Sequence, residues 1–190
     1  DDQLQKRCQE VLDNLSLTNL SSLLQCQLVD ITLSDRKGIE NLSSIVGMNS
    51  FGSFLWQKNL DNQINIPLFL TGGTFDLVTP SISEQLGLLL SVSSSQLSRV
   101  LLIEGASHFS PIRVVGQMYQ SEGKDLFNLG ESFVGYHPLS VQSVLSFEIV
   151  NFLDKLEENK SITSITNVNR DELKFHILDA NIIEKLINIQ

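Results

Sequence analysis

The sequence predicts an α/β fold, on two strand-like runs that each end in a glycine-bearing turn and on a helical pattern between them. Ile66-Pro-Leu-Phe-Leu-Thr-Gly-Gly and Arg99-Val-Leu-Leu-Ile-Glu-Gly are short and largely apolar. Such runs suit strands covered on both faces, and Pro67 is tolerated at the first position of a strand. Between them Thr79 is placed to cap a helix, Pro80 to open it, and Ile82, Leu86, Leu89 and Leu90 to form its apolar face. A strand, helix, strand connection of this length makes a right-handed crossover and leaves the strands parallel.

Upstream, Leu4, Cys8, Val11, Leu12 and Leu15 follow helical spacing. A second apolar cluster, Leu20, Leu23 and Leu24, follows Thr18 and Asn19, either of which can cap it. Residues 1–30 therefore read as a helical insertion. Asp35-Arg-Lys-Gly38 makes a turn, and Leu42 to Asn49 is short and bounded by turn residues, as a strand would be. Phe51, Phe54, Leu55 and Trp56 come next. They are core residues by default, or wall an acyl pocket at the strand's carboxyl end, where ligands of open α/β sheets bind.

Downstream of the second run lies a segment punctuated by Gly116, Gly123, Gly130 and Gly135. Pro138 then opens a long helix with Val141, Val144, Leu145, Ile149, Phe152, Leu153 and Leu156 on one face. A polar break at Glu157-Glu-Asn-Lys160 separates residues 1–156 from a tail, 157–190, that either packs on them or stands apart. In the tail Leu173, Phe175 and Ile177 alternate with Lys174 and His176 as in a strand, and Asp179 is placed to cap a last helix.

The chain has 190 residues, a hydrophobic content of 42% and a net charge of −9. That composition is globular, and its acidity disfavours nucleic acid, which is bound by Lys and Arg replacing condensed counterions. No apolar run approaches the roughly 20 residues that span a bilayer. The chain opens on Asp1-Asp2-Gln3 without a basic-then-apolar leader, which fits truncation. Cys8 and Cys26 are either a disulfide, which implies export, or two small buried apolar residues; localisation otherwise stays open.

The chemistry concentrates at Asp76 and His108, each just past one of the two buried strands. A hydrolytic imidazole takes a proton from a nucleophile through one ring nitrogen while a carboxylate fixes the other. Loops at the carboxyl ends of parallel strands share one edge of the sheet, so an acid and a base placed this way can meet. Asp76 alone also suits a turn acid or helix cap, and His108 a loop histidine satisfied by backbone groups. No Gly-x-Ser-x-Gly nucleophile turn occurs in the chain, so the nucleophile is expected upstream. His137 and His176 lack a matching acid, and three scattered histidines give no zinc-ligand spacing. Gly72-Gly73 is no phosphate loop. Neither metal nor cofactor is expected.

These segments resemble the α/β-hydrolase superfamily, and within it the predicted dienelactone hydrolases and platelet-activating-factor acetylhydrolase-like esterases. The resemblance spans most of residues 20–156. Its carriers are Leu23-Leu-Gln-Cys26, Gly47-Met-Asn49, Ile66 to Pro80 with Glu84-Gln85, and Glu104-Gly-Ala-Ser-His-Phe-Ser110. It implies that the chain is the C-terminal part of such a sheet, its last three parallel strands with flanking helices. Asp76 and His108 would be the acid and base of a triad, with Phe109 and Ser110 shaping the histidine loop. It implies carboxylic ester hydrolysis on a small-molecule ester, with Phe51, Phe54 and Phe109 near substrate and the missing N-terminal half of the same protein as partner. The alternative is a non-catalytic interaction domain on the same scaffold.

Overall fold

The computed structural model describes residues 2–14, 20–27, 41–53, 64–111 and 138–188. Within them five strands form one mixed sheet: β1 (Ile45–Met48), β2 (Leu68–Gly73), β3 (Arg99–Ile103), β4 (Ile165–Arg170) and β5 (Leu173–Leu178), in the order β1-β2-β3-β5-β4. The first three are parallel, with Val46 beside Phe69 and Leu70 beside Val100. β5 runs antiparallel to β3, and β4 antiparallel to β5. The chain is thus α/β. β2 is buried along its whole length because it has a neighbour on each side and a layer on each face, which accounts for its unbroken apolar sequence.

Helix α4 (Pro138–Glu157) covers one face. Its Val141, Val144, Leu145 and Phe152 pack on Phe69, Leu101, Ile103, Phe175 and Ile177. The Phe69 and Phe152 rings lie 4.8 Å apart between centroids. On the other face Leu68, Leu70, Val100 and Leu178 meet Leu86, Leu89 and Val92 of the crossover helix and Ile183 of α5 (Ala180–Ile187). Asp179 caps α5, accepting the Ile182 N–H at 2.9 Å. At the N-terminus α1 (Asp2–Asp13) and α2 (Leu20–Cys26) form a hairpin closed by a Cys8–Cys26 disulfide, whose Cα atoms are 5.6 Å apart.

Three features differ from the sequence reading. The tail neither stands apart nor merely packs on the sheet: β5 pairs with β3 and brings β4 with it. β4 escapes recognition because an outer, half-solvated strand, Ile-Thr-Asn-Val-Asn-Arg, needs no apolar alternation. Its link to β5 is a two-residue turn with Asp171 and Glu172 both at positive φ (51° and 64°), the geometry whose twist matches a hairpin.

The crossover helix is the second difference. It begins as a π-turn, Ile82–Gly87, and becomes regular only in α3 (Leu88–Val92). The wider turn shifts the helical phase, so Ile82, expected on the apolar face, is 53% exposed, while Glu84 and Gln85 are buried. Third, β1 begins at Ile45 rather than Leu42, where pairing with β2 starts. The expected turn at Asp35 to Gly38, the aromatic residues Phe54 and Trp56, Leu55, the glycines from Gly116 to Gly135, and His137 lie outside the described residues. Among the described residues no helix is long and apolar enough to cross a membrane.

Candidate active site

Because β1, β2 and β3 are parallel, their carboxyl ends open on one edge of the sheet, and Asn49, Asp76 and His108 all follow those ends. The β2 and β3 loops touch directly. The Phe75 N–H donates to the Ala106 carbonyl at 2.9 Å, and the Gly105 N–H to Thr74 Oγ1 at 2.8 Å. Two glycines permit this. A Cβ on Gly73 would lie 2.0 Å from the Ala106 oxygen, and Gly105 turns at a φ of 75° that side chains with a Cβ rarely adopt. Beyond Gly105 the chain folds on itself, with the Ser107 N–H donating to Ser110 Oγ at 2.8 Å. His108 is presented from this tight turn.

The acid and the imidazole meet, with Asp76 Oδ2 3.0 Å from His108 Nδ1. Their exposures differ: the Asp76 side chain is fully buried, whereas 26% of the His108 side chain remains open. Both roles considered for Asp76 coexist in one carboxylate. Oδ1 accepts the N–H groups of Val78 (3.0 Å) and Thr79 (2.7 Å), as a turn acid would, leaving Oδ2 for the imidazole. The expected capping role of Thr79 is not what the hydroxyl does. Instead it donates to Asp76 Oδ2 at 2.8 Å and lies 3.1 Å from His108 Nδ1, and the helix behind it starts on the Pro80 carbonyl.

This geometry fixes the imidazole tautomer. An ionised carboxylate only accepts, and a hydroxyl whose proton points at that carboxylate offers Nδ1 only lone pairs. Nδ1 therefore carries the proton, shared between Asp76 Oδ2 and Thr79 Oγ1. Nε2 is left with its lone pair and has no hydrogen-bond partner among the described residues. An imidazole so held can remove a proton from a group placed opposite Nε2 and return it later.

His176 provides an internal comparison. Sequence reading gave it no partnering acid, yet Glu104, at the end of β3, lies 2.8 Å from its Nε2. There the Asn167 N–H donates to Nδ1 at 3.2 Å, so both ring nitrogens are occupied. Hydrogen bonds from Lys174 and His176 hold the Glu104 carboxyl below its usual range. This is a satisfied histidine beside an apolar cavity of about 780 Å³ whose walls include Thr74, Phe75, Leu178 and Ile182. Of the two pairs, only Asp76–His108 keeps a nitrogen without a hydrogen-bond partner among the described residues.

Asn49 is the residue that sequence reading left without a role. Held at positive φ (44°), it donates from Nδ2 to the His108 carbonyl at 2.7 Å, and its own carbonyl lies 3.3 Å from Thr79 Oγ1 as the second, longer acceptor for that hydroxyl's one proton. All three parallel strands thus contribute one side chain to the site. The available signal was Asn in a strand-end turn, a residue type that tolerates this conformation. Phe109 lies edge-on to the His108 ring, 5.4 Å between centroids, and is 55% exposed. Phe51 is also exposed, at 45%, and Phe54 lies outside the described residues. Among the described residues no group of three or more acidic, His or Cys side chains is placed to hold a metal ion.

No protein-family model, curated protein or solved structure matches this chain.

Proposed function

We propose that Asp76 and His108 are the acid and base of a nucleophile/His/acid hydrolase acting on carboxylic esters, and that the nucleophile comes from a segment upstream of residue 1. The observation that carries this reading is the Asp76–Thr79–His108 arrangement, in which Nδ1 carries the proton and Nε2 has no hydrogen-bond partner among the described residues. In the cycle, Nε2 takes the proton of the nucleophile as it attacks the ester carbonyl and delivers it to the departing alcohol. Asp76 stabilises the imidazolium formed between these steps. The acyl-enzyme is then opened by water, activated at the same nitrogen.

The open flank of β1 supports an upstream nucleophile. β1 pairs with β2 alone among the described strands, and its Val46 and Met48, on the same face as Phe69, are exposed. A further parallel strand beside β1 would deliver its carboxyl-terminal turn to the edge where Nε2 opens. In the resembled superfamily the corresponding strand carries the nucleophile, which makes β1, β2 and β3 the last three parallel strands of that sheet. Serine suits ester hydrolysis, although cysteine or aspartate would use the same acid and base.

The test is ester turnover by the protein expressed together with the sequence preceding residue 1, with p-nitrophenyl esters of graded acyl length as probes. His108→Ala is expected to lower kcat by at least about a thousandfold, as general-base and nucleophile-activation roles require. Equal turnover by the variant and the parent would remove the assignment.

A further inference from the structure

We propose that Glu84 is a positioning residue for His108, acting through the turn that follows β1. The proposal rests on the hydrolase reading for its catalytic meaning, but its physical content does not. Glu84 is only 1% exposed and belongs to neither the acid loop nor the histidine loop. Its carboxylate is gripped by five donors. Oε1 accepts from Ser21 Oγ, from Gln25 Nε2 at 3.1 Å and from Ser53 Oγ at 2.8 Å, and Oε2 from the N–H groups of Gly52 (2.9 Å) and Ser53 (3.1 Å). No cation is among these partners.

A buried carboxylate gives up its hydration, and replacing buried charges by apolar groups of similar size is often neutral or stabilising. Stability alone gives little reason for it. Geometry gives more. The π-turn lets the consecutive residues Glu84 and Gln85 both point inward, and Gln85 Nε2 donates to the Ser50 carbonyl at 2.7 Å. Together they fix the backbone at Ser50, Gly52 and Ser53, so the segment just past Asn49 cannot drift. Asn49 in turn holds the His108 carbonyl, and its own carbonyl lies beside the Thr79 hydroxyl. The same carboxylate also ties α2, and through the Cys8–Cys26 disulfide α1, to this turn.

Glu84→Gln replaces one acceptor oxygen with an amide that points protons at existing donors, leaving the volume unchanged. The Nδ1–H of His108, observed by imidazole 1H–15N correlation, is the readout, since a merely structural change elsewhere would not move it. Glu84→Gln is expected to accelerate exchange of that proton at least tenfold while the thermal transition stays cooperative. Ser143→Ala, which cuts an exposed hydrogen bond to Asp171 outside this network, is the control, and its exchange is expected to match the parent. In the ester assay Glu84→Gln is expected to lower kcat with KM little changed.

A folded Glu84→Gln protein with parental Nδ1–H exchange would overturn the proposal, as would an equal acceleration in Ser143→Ala. Should Glu84→Gln not fold, Gln85→Leu cuts the neighbouring hold on Ser50 and carries the same expectation, with unchanged exchange again overturning it. The two readings fail separately. Altered exchange in a protein without ester turnover would sink the hydrolase and keep the positioning role, and active protein with unaltered exchange would do the reverse.

Discussion

Replacing Asp76 by Asn tests the site at its most constrained atom. The two side chains have nearly the same shape, and the amide oxygen can keep the Val78 and Thr79 N–H groups that Oδ1 now accepts. The change falls on the other side, where Oδ2 becomes an NH₂ whose protons face His108 Nδ1 and Thr79 Oγ1. Nδ1 must then accept, so the imidazole proton moves to Nε2 and the lone pair needed outward turns inward. The imidazolium also loses its counter-charge. At an effective dielectric of about 20, unit charges at the 3.0 Å Nδ1–Oδ2 separation attract by roughly 5 kcal/mol. That corresponds to about four powers of ten in rate, close to the loss of roughly 10⁴ known for the same exchange in a Ser-His-Asp triad. Two measurements read the two consequences: imidazole 15N shifts report the tautomer, and ester turnover reports the barrier. A variant that keeps the proton on Nδ1, or that turns over within tenfold of the parent, would refute the reasoning.

Two further perturbations probe how the fold supports the site. Gly73→Ala places a methyl within 2.0 Å of the Ala106 oxygen, so the acid and histidine loops must separate; a stability loss of about 1–3 kcal/mol by urea denaturation is expected, with loss of the Asp76–His108 bond, and unchanged values would show that the loops have slack. Asp179 is held below its usual range: burial works against its charge, but hydrogen bonds from Ser164 and the Ile182 N–H and the charge of Arg99 outweigh it. A folded-state value below the unfolded one means that its contribution is complete above about pH 4 and is lost as pH falls through the folded value. Urea midpoints followed from pH 7 to pH 2 should therefore fall less steeply in acid for Asp179→Asn than for the parent, and parallel curves would exclude the linkage.

The parts of this arrangement that the sequence discloses are those set by a repeating physical demand. β2 and β3 are legible because burial on both faces leaves little choice but apolar residues, and α4 because one face must cover them. Asp76 and His108 are legible because strand ends on one edge bring distant residues together. What stays hidden depends on local choices with no period. The π-turn is one register shift, invisible in the spacing of Leu86 and Leu89, and Glu84 is buried within it. Thr79 carries a capping signature yet uses its hydroxyl on the dyad, since the same atom serves either task. β4 is polar because one side of it meets water, and Asn49 acquires its role only when three loops converge.

The two flanks of the sheet are unlike, and the difference gives the sheet a direction of growth. At β4 the ladder to β5 is interrupted between Ile165 and Val168, and Asn167 there stands at a φ of 58°. An incoming strand would find its hydrogen-bonding groups out of step after two or three residues. At β1 nothing of the kind intervenes: four residues pair in regular register with β2, and Met48 lies 58% exposed. Any lengthening of the sheet, whether by more of the same polypeptide or by a second molecule, is thus steered to the flank farthest from the hairpin. Newly added backbone would arrive with β1 and β2 between it and β3.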